Sequence, residues 1–520
     1  MYLPTPHSND NGDTMKKHLL KLFCLLLPVL FLTGCWQEEL PENTGLISPG
    51  EELPQEPDPE LLLPEFFSLP YAPDQSLDPI DCPDGPQQTV ASLICEGLFR
   101  LTPDLEAESL LCQSYSYDSE RYAYTFTLRP GVLFSDGSPL TARDVRTALE
   151  RARRSERYQA RLAQVSSISA GDGTVTITLS RPNTGFPALL DIPISKESGG
   201  VPLGTGPYFL TQDEGGAFLA ANSTWWQGHS QPVERIGLTE ASGQDAVLYR
   251  FSSHEVQLIT ADLTGTDPAA LTGSVSQWEA DTTILQYVGL NTAAAPLDNA
   301  ALRRALGESL NRKHIVSGFL SGHGRAAQFP VSPLSSLYPE ELEVRFSADA
   351  PVQAISRSGY VPERTLTLLV NSENSFKTAV ADYLAESLTA AGVPVETRIL
   401  PWEEYTAALE AGDFDLYYGE VRLTADWNLS SLLSTGGALN YGGWTDAEAD
   451  SLLAAYSAAE NRTTAMEALC AYLQQQSPIL PVCFKSTSVL AQTGVLEDLI
   501  PTAAQPFYNL AGCTVHLREK

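Results

Sequence analysis

Apolar and polar residues alternate from Tyr122 to Arg129 (YAYTFTLR) and again from Thr174 to Leu179 (TVTITL), the period-2 pattern of strands buried on one face. Between them the period changes. Thr141 stands three residues before Asp144 in a capping-box arrangement, and Val145, Ala148, Leu149 and Ala152 follow at helical spacing, which predicts a helix with one apolar stripe. Further on, Thr365 to Val370 (TLTLLV) predicts a buried strand, and Phe376, Val380, Tyr383, Leu384 and Leu388 fall on one helical face. Gly392-Val393-Pro394 stops that helix before another strand, Val395 to Leu400. The order strand, helix, strand implies a right-handed crossover and a mainly parallel pair. A strand-like run from Ile284 to Leu290 precedes a helix with Leu302, Ala305, Leu306 and Leu310 on its apolar face. No repeat period is found, so the pattern predicts an α/β protein with discontinuous domains. At about 150 residues per domain, 520 residues allow about three.

The N-terminus follows a different logic. From Met15, a basic head (Lys16, Lys17, Lys21) leads into an apolar run, Leu22 to Leu32, and a small-residue approach to Cys35. That is the anatomy of a secretory signal, too short to remain as a membrane span. Leu32-Thr33-Gly34-Cys35 also resembles the lipobox of bacterial lipoproteins, which implies acylation of Cys35; an ordinary cleaved signal is the alternative. From Trp36 to Pro64 there is no Lys or Arg, and prolines stand at 41, 49, 54, 57, 59 and 64. Such a stretch buries too little apolar surface to fold and reads as a tether.

Charge narrows the partners. Acidic residues number 64 against 32 basic, a net charge of −32, which repels phosphate backbones and excludes nucleic acid as a partner. Against this background Arg143, Arg146, Arg151, Arg153, Arg154, Arg157 and Arg161 stand out. They read as a solvated helix face paired with local acids, with a docking patch for an acidic partner as the alternative. Cys82, Cys95, Cys112, Cys470, Cys483 and Cys513 lack C-x-x-C or zinc-knuckle spacing. They are either buried thiols or disulfides, Cys470 with Cys483 first.

Catalytic constellations are missing. The chain contains no H-E-x-x-H, G-x-S-x-G or G-x-x-x-x-G-K, and its seven histidines never recur at i, i+3 or i+4. Gly204-Thr205-Gly206 is followed at once by Pro207 and reads as a tight turn, not a phosphate cradle. Carboxylate neighbours such as Asp413/Asp415 and Glu403/Glu404 suit polar segments better than a hydrolytic dyad. Neither an enzyme nor a cofactor or resident metal is expected.

Longer motifs carry a resemblance. Leu77-Asp78-Pro79 is followed by Cys95-Glu96-Gly97-Leu98-Phe99-Arg100, then by TLRPGVLFSDGSPLTARDV (127–145), TVTITLSRPNTGFPALL (174–190), PLGTGPYFL (202–210), YVGLNTAAAPLDNAALRRAL (287–306), GDFDL (412–416) and YLQQQSPILPVCF (472–484). In this order they resemble the family 5 extracellular solute-binding proteins, the peptide- and nickel-binding components of ABC importers, over about residues 65 to 520. Two segments depart from the family pattern: Ser253-His254-Glu255-Val256-Gln257-Leu258 lacks a usual Gly and Asp, and Gly419-Glu420-Val421-Arg422 replaces an aromatic Gly-Trp step.

The resemblance implies an α/β, two-lobed periplasmic-binding-protein type II-like fold with an extra subdomain and a two-strand hinge. Projected onto this chain, 1–35 is a lipoprotein signal peptide and 36–64 the tether. Lobe I takes 65–96 with 203–286 and 483–520, the extra subdomain 97–202, and lobe II 287–482. The hinge strands fall near Gln286–Asn291 and Ser477–Lys485, where Pro478 and Pro481 flank an apolar run. The implied function is capture of a small solute, a short peptide first, for delivery to ABC permease subunits by a monomer anchored on the outer face of the cell membrane. Nickel chelates, sugars and opines are alternative solutes, and a surface chemosensory binder is an alternative role. Carried over by motif, Asp426 meets a ligand amino group, Trp402 lines a side-chain pocket, and Gly85, Gln87 and Gln88 contact the ligand backbone. Asn440 and Tyr441 are further contacts. A surface or packing role is the alternative for each. No cation matches the position that greets a peptide carboxylate in some relatives, although Arg422 lies two or three residues away.

Overall fold

The computed structural model describes residues 63–198, 201–264 and 274–518. The signal segment, Cys35 and nearly all of the tether lie outside the described residues.

The half-buried strands form where the alternation predicts them. Ala123–Leu128 and Thr174–Leu179 pair antiparallel at the centre of a four-stranded sheet completed by Cys112–Asp118 and Val165–Ala170. Helix Ala142–Ala152 packs its apolar stripe on this sheet, and Thr141 and Asp144 form the expected capping box. The arginines of this helix and of the turns after it are drawn to acids: Arg151 pairs with Asp78, Arg157 with Asp84 at 2.9 Å, and Arg161 with Asp191. Only Arg143, Arg146 and Arg154 of the seven are exposed.

A second four-stranded sheet runs in the order Phe67–Tyr71, Arg235–Glu240, Gly216–Ala221, Tyr208–Asp213. Its core joins Phe67, Leu69, Ile94, Tyr208 and Ile236 to Val489 and Ala491 of a distant strand. Gly204 and Gly206 belong to the tight turn leading into this sheet. A β-carbon at either would lie closer to the Ile94 carbonyl oxygen than van der Waals contact allows, so both glycines serve close backbone approach.

The largest sheet has seven strands. Leu258–Ala261, Ile479–Gln492, Val275–Leu290, Leu416–Arg422, Leu366–Asn371 and Val395–Leu400 follow one another across it, with Gly324–Ala326 on the flank of Ile479–Gln492. Leu366–Asn371 and Val395–Leu400 pair parallel around helix Ser375–Ala390, as the crossover requires. The helix carrying Leu302 ends at Glu308, two residues earlier than its apolar face suggests, and Leu310 is buried beyond it.

Two strands are long. Val275–Leu290 starts well before the predicted Ile284, and Ile479–Gln492 is its antiparallel partner. Their pairing is interrupted between Asp281 and Leu285 and again between Gln286 and Tyr287. The break is local chemistry. The Thr282 hydroxyl donates to the Lys485 carbonyl at 2.7 Å and accepts from the Ile284 amide, while Pro481, opposite Tyr287, has no N–H for the ladder. On one side of the break the strands pack on the core of Phe67 and Ile236; on the other they join Leu416–Arg422. This is the two-strand hinge, and on the first strand it begins a few residues before the expected Gln286.

The seven-stranded sheet carries a separate core on each face. Tyr418 and Cys483 belong to one, Tyr417, Phe484 and Cys470 to the other. The side-chain alternation of Ile479–Gln492 therefore turns Cys483 away from Cys470, and no disulfide links them. All six described cysteines are free and buried.

Candidate ligand-binding cleft

Strands Leu366–Asn371, Val395–Leu400 and Leu416–Arg422 point the same way, so their C-terminal ends share one edge. In open α/β sheets that edge collects ligand-contacting loops and helix N-termini. Here it gathers Glu373, Trp402, Glu420, Arg422 and the segment reaching Asp426.

Trp402 opens helix Trp402–Ala411. Its backbone N–H donates to Glu373 Oε1 at 2.7 Å, and its half-buried ring stacks on Tyr405 at 5.7 Å. Asp426 is 2% exposed. Its carboxylate accepts from Asn183 Nδ2 at 2.8 Å, from the Thr424 hydroxyl at 2.5 Å and from the Asn428 amide at 3.3 Å. Trp427, beside it, is buried with φ 51°, a strained value for a bulky residue, and so holds the Asp426 backbone in a bent path. Asn183 reaches Asp426 from the turn after strand Thr174–Leu179. Thr184 anchors that turn through its hydroxyl to the Ala459 carbonyl at 2.8 Å.

Gly85 has φ 88° and precedes helix Pro86–Ile94, where no β-carbon suits the turn. Gln87 is 1% exposed and bonds the backbone N–H and C=O of Ala72, so its side chain braces the neighbouring loop. Gln88 is half-buried. Asn440 closes its own turn by bonds to Ser434 and Trp444, and Tyr441 packs edge-on against Tyr417. Their turn lies beside Thr292 and Leu290, at the start of strand Leu416–Arg422 and away from Arg422. The structure thus places Trp402 and Asp426 on the same sheet edge, and sets Asn440 and Tyr441 at the other end.

Several residues of the edge escaped the sequence reading. Glu420 pairs with Lys377 at 3.1 Å and lies 4.0 Å from Lys485, which in turn pairs with Asp262 at 2.5 Å. Crowding by the surrounding chain works to raise the Glu420 and Asp262 carboxyls, but the lysines outweigh it and both end below their ordinary range. The only sequence signal was the altered Gly419-Glu420-Val421-Arg422 step.

With this geometry in view, residues 106–475 match the model of the bacterial extracellular solute-binding proteins, family 5. The chain belongs to that family. It is 27% identical over 399 residues to the glutathione-binding protein GsiB of Pectobacterium atrosepticum, covering 69% of this chain and 75% of the relative. Among solved structures, the unliganded open form of the periplasmic murein tripeptide binding protein MppA superposes with a TM-score of 0.73 at 19% identity, over 87% of this chain and 98% of MppA. A nickel ABC transporter structure from Bacillus halodurans gives 0.72 at 20% identity, over 85% and 98%. The family is one of extracellular binding proteins that capture solutes for ABC importers. No helix among the described residues is long and apolar enough to cross a membrane.

Proposed function

We propose that this member captures a short peptide between its lobes and hands it to ABC permease subunits, acting as a non-catalytic monomer on the outer face of the cell membrane. The observation that carries the reading is the pair of long strands with an interrupted ladder, beside which strand Leu416–Arg422 sets Glu420 and Arg422 opposite Gln286 and Ile284. In this reading lobe I comprises 65–96, 203–286 and 483–520, the extra subdomain 97–202 and lobe II 287–482. Trp402 lines the side-chain pocket, Gly85 and Gln88 border the ligand backbone, and the ligand amine takes Asp426 from Asn183. Gln87, Asn440 and Tyr441 support their loops. The names of the glutathione- and tripeptide-binding relatives favour peptides over the chelate, sugar and opine alternatives. Mass spectrometry of whatever co-purifies with the folded protein tests it; a non-peptide solute at full occupancy overturns it.

A hinged binder closes because its ligand has higher affinity for the closed state. Small-angle scattering is expected to show a smaller radius of gyration with saturating peptide. Binding without compaction would argue against closure.

Anchoring is a separate expectation. If Cys35 is acylated, each buried CH₂ contributes about 0.8 kcal/mol of membrane affinity. Cys35→Ala is then expected to release the protein or leave it unprocessed. Free solubility of the wild type, with no lipid mass on its N-terminus, would rule the anchor out.

A further inference from the structure

Four charged side chains meet where the long strands cross the ladder break. Lys485, on the second long strand, sits between Asp262 at 2.5 Å and Glu420 at 4.0 Å. Lys377, in the first turn of helix Ser375–Ala390, reaches Glu420 at 3.1 Å. Exposure separates the signs. The Lys485 and Lys377 side chains are 7% and 12% exposed, whereas Asp262 and Glu420 keep 54% and 31%. The lysines are the backing and the carboxylates are the face.

The carboxylates come from opposite sides of the break. Asp262 follows strand Leu258–Ala261, which pairs with the Ser488–Ala491 half of the second long strand, and Glu420 lies opposite Gln286 beyond the break. Gln286 supplies an independent observation. It is wholly buried, its Nε2 donates to Glu420, and its Oε1 has no hydrogen-bond partner among the described residues. A buried acceptor left open is a cost that a bound donor removes.

We propose that Asp262, Glu420 and the Gln286 carbonyl oxygen form a subsite for a cationic group of the solute, so that short peptides with a basic side chain are preferred. The proposal rests on the peptide reading. Three acceptor groups match the three N–H donors of an alkylammonium. An ionised carboxylate has about four acceptor positions. Asp262 is engaged by Lys485 and by the Thr264 amide at 3.0 Å, and Glu420 by Lys377 and Gln286, so a guest shares the exposed side of each with these donors. The net charge of −32 draws cations toward the protein. Arg422, exposed two residues past Glu420 on the same strand face and without a partner among the described residues, is the neighbouring cation; it disfavours a second positive group and is available to a solute carboxylate.

Calorimetry on the full chain with alanyl-lysyl-alanine and its norleucine analogue tests this. The lysyl peptide is expected to bind at least about tenfold tighter, the effect of one charge-assisted contact. Glu420→Gln and, on the other side of the break, Asp262→Asn are each expected to shrink that preference below about threefold while sparing the norleucine peptide. Unchanged melting temperatures would confirm folded variants. Equal binding of the two peptides by the wild type, or a preference that survives both substitutions, overturns the subsite and leaves the peptide reading intact. Binding of neither peptide overturns the peptide reading, and 1,5-diaminopentane then decides the subsite alone. Its binding, lost in both variants, supports the subsite; no binding overturns it as well.

Discussion

Replacing Glu96 with alanine is expected to cost on the order of 4 kcal/mol of stability, among the largest effects of any single substitution outside the apolar cores. The Glu96 carboxylate is buried and has no cation beside it among the described residues. It accepts instead from the Thr205 hydroxyl at 2.7 Å, the Trp226 indole at 2.7 Å, the Trp225 indole at 3.1 Å and the Gln227 amide at 3.3 Å. Truncation leaves these donors without their acceptor, at about 1–3 kcal/mol for each that stays dry. A fall in the urea midpoint at unchanged slope measures it; a shift worth under about 1 kcal/mol would mean that water replaces the carboxylate. The pH dependence has a definite sign. Burial raises the Glu96 carboxyl above its ordinary value of 4.5, more than the four hydrogen bonds lower it. Its contribution is therefore fully present below the unfolded value and is lost as pH rises through the folded one. Wild type should gain on Glu96→Gln as pH falls from neutrality. For Glu420, whose carboxyl is lowered, the corresponding contribution is lost on acidification.

This node also marks how far local pattern reaches. Glu96 lies within a motif legible in the sequence, but its donors are 109 to 131 residues away, and nothing in period or spacing joins them. Strands Ala123–Leu128 and Thr174–Leu179, the capping box at Thr141 and the parallel pair around Ser375–Ala390 were legible because each rests on residues close in sequence. The first half of Val275–Leu290 was not, since its residues read VSQWEAD and alternate too weakly to mark a buried face. The arginine cluster shows the same division. Its helix was evident, whereas the acids that neutralise Arg151, Arg157 and Arg161 come from loops near residues 78–84 and 191.

The site divides in a similar way. Trp402 and Asp426 were located by motif and do reach one sheet edge. The chain-specific chemistry there, Glu420 against Lys377 and Lys485, spans contacts between three elements that meet only in the folded protein. A departure from a family pattern thus marked this ion-pair cluster, whereas the positions that kept the pattern marked Trp402 and Asp426.

Asp426 supplies the other large effect. Its carboxylate is already bound to Asn183, so a ligand ammonium can meet it only by taking that position, and the two donors compete. The Asn183 bond is made to a carboxylate and so falls in the same charge-assisted range of about 1.5–3 kcal/mol; what the ammonium adds in the exchange is its full positive charge. Asp426→Asn, which keeps size and removes charge, is expected to weaken free-amine peptides by about ten- to a hundred-fold and to leave N-acetylated analogues nearly unchanged. Asn183→Ala removes the competitor and is expected to strengthen free-amine peptides while sparing the acetylated ones. The opposite signs of the two variants are the diagnostic, because a purely structural Asn183–Asp426 contact would make both substitutions destabilising and would weaken both ligands equally. Titration of both peptides against both variants, with melting temperatures alongside, separates the cases. Equal losses would assign Asp426 to the contact that holds the Asn183 turn against the segment from Thr424 to Arg462, and would leave the ligand amine to the carboxylates on the other side of the edge.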